Sequence, residues 1–453
     1  MEISIKSSNF ASRYVHARAM CMQNYYNTLT IAMKKAFLLF VFTIILAAAA
    51  MAAEKSITVS VSNPLSIARQ DVPVTIEIDD DWNEELRGGI RSALVTFNGK
   101  EIPCQLDDFD GDAEYDELCF LTDMTEKEKQ QFTVTFSNEG LPRVYKSRVY
   151  GCLNIRDRAA KNQKHLPILS LTVPPASNPY QYVFPHGPLL ESELVGFRIY
   201  CDHRQSVDYY GHRNKQLELE QTQFYPTKEQ KSTTHGDDVL YTGTTYGCGT
   251  MHGWNGKTSV MFEDVRSRTY SLIATGPLRT IIETVNRGWR VTPDARPVDV
   301  RTRYILYAGH RDVMVDVDFS RDVADLQLST GVTDIVGSES FTDKNGLRAC
   351  WGTALAGKNT KVYDVHTVGL AVCVPKKYYD GDSYFTNGKE TLPDQAYVAL
   401  LKTRTDNLHY WFTATCDMEN FGFKDSKAWF DYLKEWKKEV SSPVKVSIKD
   451  SKK

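Results

Sequence analysis

The sequence predicts a mostly β protein: a small N-terminal β-sandwich domain, a large antiparallel β-sandwich domain and one C-terminal helix. Three observations carry this expectation. Short segments alternating apolar and polar residues, separated by turn residues, recur from about 54 to 415. Aromatic residues make up 11% of the chain, including 24 Tyr and 7 Trp, a bias toward strands. After the leader, helical spacing is clear only in "DSKAWFDYLKEWKKEV". The 453 residues exceed what one compact core usually holds, which favours two domains.

Residues 1–53 read as leader and signal peptide. "MKKAFLLFVFTIILAAAAMAA" begins at Met33 with a basic pair, Lys34 and Lys35. An apolar run follows, and Ala50-Met51-Ala52 fits a small-residue cleavage site. Met33 is the expected start. The alternative is a membrane anchor, since the run is near spanning length. The alanine-rich end and the polar residues after it favour cleavage, and hence a periplasmic or secreted chain with no stable membrane anchor. Residues 1–53 hold five basic groups and one acidic group. The remainder carries 49 basic and 56 acidic side chains, a net charge of −7. That balance, with no long basic run, excludes the electrostatic footprint of a nucleic-acid partner. Eight scattered cysteines follow the leader without any C-x-x-C, which argues against a zinc ribbon or redox motif. Buried free thiols are favoured over a Cys104–Cys119 disulfide. Nothing in the sequence sets the oligomeric state.

Residues 54–145 read as the small β-sandwich, from "SITVSVSNP" and "VPVTIEID" through "ALVTFNG", "ELCFLTDM" and "QFTVTFSN". Residues 146–180 form a connecting segment ending in "PPASNPY". The large domain spans 181–440. Its closing helix takes Asp425 or Ser426 as N-cap and buries Ala428, Phe430 or Tyr432, Leu433 and Trp436. A polar tail, 441–453, follows.

Titratable and aromatic side chains crowd two stretches. In "ELVGFRIY", Val195, Phe197 and Ile199 share an apolar face. Gly196, Arg198 and Tyr200 share the other, expected to floor a shallow cleft that Gly196 lets a ligand or backbone approach. His186, Asp208, Tyr209, Tyr210, His212 and Arg213 gather nearby in sequence. A Gly-rich loop, "THGDDVLYTGTTYGCGTMHGWNG", adds His235, Asp238, Tyr246, His252 and Trp254. Its glycines lack dinucleotide-loop spacing. The candidate catalytic groups are His186, Arg198, Tyr200, Asp208, His212, His235 and Asp238. The candidate substrate contacts are Tyr209, Tyr210, Arg213, Tyr246, His252 and Trp254. Glycosidic hydrolysis needs two carboxylates. Elimination beside a uronate needs a base, an acid and a cation, with Arg198 facing the sugar carboxylate. The residues supply both sets, and sequence does not choose between them. Neither route needs a cofactor. Separately, Asp108, Asp110, Asp112 and Asp116 surround a turn glycine in "DDFDGDAEYDEL" and suit a structural Ca²⁺, although the loop departs from EF-hand spacing.

The blocks "VSNPLSIARQDVPVTI", "GKEIPCQLDDFDGDAEYDELCFL", "HGPLLESELVGFRIYCDHRQSVDYYGHR" and "DDVLYTGTTYGCG" resemble the family called domain of unknown function 4861, over nearly all of the chain after the leader. The resemblance implies an exported protein of Bacteroides-type bacteria that accompanies glycan-degrading enzymes. It also implies a galactose-mutarotase-like β-supersandwich for the large domain. It supplies no catalytic residues. The expected function is cleavage of glycosidic bonds in uronate-containing oligosaccharides, by a lyase or a hydrolase. The alternatives are a non-catalytic glycan-binding protein or a sugar epimerase.

Overall fold

The computed structural model describes residues 33–35, 53–86, 88–157, 165–357, 361–386 and 394–450. The leader and its cleavage site lie outside these residues, apart from Met33–Lys35 and Ala53. Among the described residues no helix is long and apolar enough to cross a membrane. Residues Lys55–Lys453 form one compact unit.

The alternation in sequence becomes antiparallel strands with one buried face. In Val298–Tyr307, for example, Val298, Val300, Thr302, Tyr304 and Leu306 are buried while the residues between them are more exposed. The largest sheet has nine strands. In spatial order they are Ser170–Val173, Ser267–Thr275, Arg279–Trp289, Val298–Tyr307, Asp312–Phe319, Asn407–Cys416, His366–Cys373, Leu347–Ala354 and Val336–Thr342. Two sheets share a core with it. One has six strands, ordered Asp237–Asp238, Val207–Gly211, Val195–Ile199, Val183–Ser192, Val149–Ile155 and Leu166–Pro167. The other has five, built around Leu328–Thr333 and Gln395–Leu401. One apolar cluster unites all three sheets: Phe197 meets Phe412 edge-on at 5.0 Å, and Leu328 and Leu401 join from the third sheet. Each such side chain contributes about 1.5–3 kcal/mol by burial.

The C-terminal helix, Ser426–Val440, is capped by Asp425, which accepts the Ala428 amide at 2.8 Å. Its buried residues are Trp429, Leu433 and Trp436, four and then three apart, seated on Leu347, Ala371 and Cys373 of the nine-stranded sheet. Ala428, expected inside, is exposed, because the face centres on Trp429. The segment expected as a polar tail contains a further strand, Lys445–Asp450, which pairs antiparallel with Glu54–Ser62 in another five-stranded sheet. All eight cysteines after the leader are free and buried. Cys104 lies opposite Phe120, and Cys119 opposite Gln105, so the two thiols project from opposite faces of their sheet.

A buried ion cluster ties the three-stranded sheet of Arg69–Glu77, Glu117–Met124 and Cys104–Asp107 to the nine-stranded one. Arg279 donates to Asp107 at 2.7 Å and to Glu117 at 2.5 Å. Gln105 accepts the Leu278 and Arg279 amides and donates to the Arg279 carbonyl. Removing the guanidinium strands Asp107 without its counter-charge. Arg279→Ala is expected to cost about 3–5 kcal/mol in denaturant unfolding. Arg301→Ala, which breaks an exposed pair with Asp318, is expected to cost less than about 1 kcal/mol.

Candidate functional site

Strand register gathers the charged residues. Arg198 lies opposite Asp208, and Tyr210 lies opposite both Gly196 and Asp238. Arg198, Asp208, Tyr210 and Asp238 therefore share one face of the six-stranded sheet, as Val195, Phe197 and Ile199 share the core face. The expected open cleft is absent: Arg198 is 3% exposed and Asp208 fully buried. The reason is the chain between Val207–Gly211 and Asp237–Asp238, which folds back over this face with two short helices, Leu219–Thr222 and Lys228–Thr233. Gly196 makes room for Leu219 rather than for a ligand. A Cβ there would lie 2.5 Å from the Leu219 side chain. Glu191 fastens the excursion by accepting the Glu218 and Leu219 amides and pairing with His212 at 3.2 Å. Glu218 accepts the Gly236 amide at 2.6 Å. His212 is fully buried in this brace, its ring held between Glu191 and the Glu193 carbonyl rather than free as a base.

The two terminal nitrogens of the Arg198 guanidinium are filled. One terminal nitrogen donates to Tyr210 Oη at 2.6 Å, the Pro185 carbonyl at 3.1 Å and Tyr225 Oη at 3.3 Å. The other donates to Tyr200 Oη at 2.8 Å, to Asp208 Oδ2, and to Asp238 Oδ2 at 3.4 Å. Tyr200 donates to the same Asp208 oxygen at 2.9 Å, and the Tyr209 amide to its Oδ1 at 2.9 Å. Burial alone would lower the Arg198 pKa, but the tyrosines and both carboxylates hold it well above its ordinary value. Burial first, and Asp208 second, push Asp238 well above the carboxylate range, against the pull of Arg198. Asp238 Oδ1 and Arg198 Nε are buried without hydrogen-bond partners. The cluster thus places a carboxylate paired with the guanidinium, Asp208, beside a carboxyl raised well above its ordinary range, Asp238.

The cluster reaches solvent through aromatic rings. Tyr225 is 47% exposed, with its hydroxyl turned inward to Arg198. Half-buried Tyr180 stacks on His186 at 4.2 Å and on Tyr200 at 5.5 Å. Arg204, held by Asp202 at 2.6 Å, lies over the Tyr200 ring at 4.9 Å. His186 sits where the strand pairing is irregular and takes a left-handed φ of 74°. Its Nδ1 bonds to the Tyr180 carbonyl at 2.8 Å, which leaves Nε2 as the acceptor, and burial lowers its pKa. Tyr180, Tyr225 and Arg204 were outside the sequence-based site. Tyr180 reads there as linker and Tyr225 carries no local motif.

The remaining candidates lie elsewhere. Tyr209 points to the other face of its strand and donates to Glu419 at 2.8 Å, which Arg311 also binds. Arg213 donates to carbonyls of the excursion, Lys231 and His235. His235 bonds to Thr234. Tyr246 and Trp254 are buried beside Phe385, so neither offers a sugar platform. His252 is buried with Nε2 on the Arg204 carbonyl. In the acidic loop, Asp108, Asp110 and Asp116 bring one oxygen each within 4.8 Å of one another, a set that fits a hard cation. Asp112 falls outside it, accepting the Glu114 amide instead.

His252 and a further buried histidine, His366, are shifted in opposite directions. Burial pushes His252 down to about 4. Burial would also lower His366, but Asp237 and Asp417 beside it hold it up at about 9. The stability owed to neutral His252 is full above about 6.5 and is lost as pH falls through about 4. That owed to charged His366 is full below about 6.5 and is lost as pH rises through about 9. Ring-resonance titration by NMR is expected to leave His366 protonated and His252 neutral at neutral pH. Midpoints near the ordinary value for both would contradict the placement.

No curated protein matches the sequence. Among solved structures, the chain is similar to a protein in the glycosyl hydrolase family 38 from Enterococcus faecalis, with a TM-score of 0.44 and 10% identity over 88% of this chain and 48% of that one. It is also similar to an alpha-mannosidase from Enterococcus faecalis V583, with a TM-score of 0.42 and 10% identity over 88% and 46%. The chain spans about half the length of each. The model of one sequence family matches residues 61–446, which leave out, of the strands, only most of Glu54–Ser62 and Lys445–Asp450, and the chain accordingly belongs to the family described as Domain of unknown function (DUF4861).

Proposed function

We propose that this protein is an exported carbohydrate-active enzyme that hydrolyses glycosidic bonds at the Asp208–Asp238 pair. One observation carries the reading: both carboxylates meet the same Arg198 nitrogen, and burial together with Asp208 raises the Asp238 carboxyl well above its ordinary range. A proton donor beside an anionic carboxylate is the minimal equipment for this reaction. The rings of Tyr180 and Tyr225 suit the C–H faces of a sugar, and the family resemblance supports a glycan substrate.

Tyr225 swings off Arg198 to admit the sugar, and a sugar hydroxyl takes over its hydrogen bond. Asp238 gives its proton to the glycosidic oxygen as the bond to the anomeric carbon breaks. Asp208 takes the developing positive charge and attacks the anomeric carbon. Water then displaces Asp208, losing its proton to Asp238. Two carboxylates that share one guanidinium nitrogen suit the roughly 5 Å spacing of a retaining pair, not the roughly 6.5–9.5 Å of an inverting one. Hydrolysis is favoured over uronate elimination because elimination needs Arg198 free for a sugar carboxylate, and its terminal nitrogens are spent on protein groups. We also propose that Asp108, Asp110 and Asp116 hold a structural Ca²⁺.

Incubation with a panel of plant and host polysaccharides is expected to release new reducing ends with retained anomeric configuration by NMR. Asp238→Asn and Asp208→Asn are expected to cut turnover at least about a hundredfold while remaining folded. Wild-type activity should fall as pH rises through the raised pKa of Asp238. Arg198→Ala and His212→Ala instead test folding, since each strands a buried carboxylate. Normal turnover in both asparagine variants would reduce the cluster to a structural brace. Glycan binding without bond cleavage would make the protein a binding module. For the cation, chelation is expected to lower the melting temperature of the wild type and leave that of Asp110→Ala unchanged.

A further inference from the structure

The outer face of the nine-stranded sheet holds a groove of about 870 Å³, walled on one side by the loop carrying Asp108 and Phe109. It belongs to a different sheet from the Arg198 cluster. Its floor alternates guanidinium and carboxylate across neighbouring strands. Arg287 pairs with Asp299 at 2.9 Å, Arg301 with Asp318 at 2.7 Å, and Arg303 with Glu283 at 2.8 Å. The first two arginines keep 61% and 46% of their side-chain surface exposed, so their remaining donors face solvent. The apolar side chains of Ile273 and Val285 also line it.

We propose that this groove is a second, non-catalytic binding site for a neutral polyhydroxylated glycan chain. Its volume lies in the range of formed ligand clefts. Six carboxylates and three guanidiniums line it, and a Ca²⁺ on Asp108 and Asp110 brings their sum close to zero, so a polyanion meets no excess of positive charge. A polycation meets arginines along the floor. Sugar hydroxyls both donate and accept, which matches paired guanidinium and carboxylate groups, and the C–H faces of the rings match the apolar side chains. The site would hold a polymer while the Asp208–Asp238 pair acts on it.

The test is native affinity electrophoresis of the full chain in gels containing galactomannan, mixed-linkage β-glucan or polygalacturonate. Wild type is expected to be retarded by at least one of the two neutral polymers. The double variant Arg287→Ala/Arg301→Ala, which loses two exposed ion pairs and keeps its fold, is expected to bind about tenfold more weakly. Asp238→Asn is expected to bind as wild type does, which separates this site from the catalytic proposal. No retardation by either neutral polymer, retardation by polygalacturonate alone, unchanged binding in the double variant, or loss of binding in Asp238→Asn would each overturn the assignment.

Discussion

A buried guanidinium must be surrounded by acceptors, and the site is arranged around that requirement at Arg198. Taking such a charge out of water costs several kcal/mol unless its donors are met. Strands and a folded-back segment supply what meets them: Asp208 and Tyr210 from the neighbouring strand, Tyr200 just past its own, Tyr225 from the excursion and Asp238 from the short strand that ends it. The consequence falls on Asp238. One positive charge balances one carboxylate, so burial and the proximity of Asp208 push the second carboxyl well above its ordinary range. Structural necessity and acid chemistry thus meet in one residue.

The same physics operates at Arg279, where a buried guanidinium is met by Asp107 and Glu117 and serves attachment. The two clusters differ in their access to solvent. Arg279 lies under the junction of two sheets with Phe109 over it. The Arg198 cluster lies beneath rings that partly face solvent, Tyr225 and Tyr180. An ion cluster roofed by partly exposed aromatics is a place where a ligand can exchange for a side chain, and the paired carboxyls give that exchange a chemical purpose.

Much of this was legible in sequence, to different depths. Period-two alternation placed the strands and assigned the two faces of Val195–Ile199 correctly. The spacing of Arg198 and Tyr200 already put that pair on one strand face, whereas Asp208, expected in the loop beyond, lies in the strand Val207–Gly211. What alternation lacks is the identity of whatever covers a face. Gly196 signalled a close approach, but Leu219, over twenty residues away in sequence, makes it. Tyr180 and Tyr225 come to the cluster through long-range folding, so no local motif could mark them. The Gly-rich loop misled for a related reason. Its Tyr246, His252 and Trp254 fill a third sheet's interior, where aromatic bulk serves packing. In the helix, an apolar face centred on Trp429 displaced the one drawn through Ala428.

The central proposal is that burial and the neighbouring Asp208 raise the Asp238 carboxyl far enough, against the pull of Arg198, for it to hold its proton at neutral pH. Infrared spectroscopy of the full chain in the carboxyl region, compared between wild type and Asp238→Asn, reads this directly. The account requires a protonated-carboxyl band in the wild type at neutral pH that disappears in the variant and weakens as pH is raised. A neutral-pH wild-type spectrum with no band that Asp238→Asn removes would show both carboxylates ionised, and the proposed proton donor would not exist.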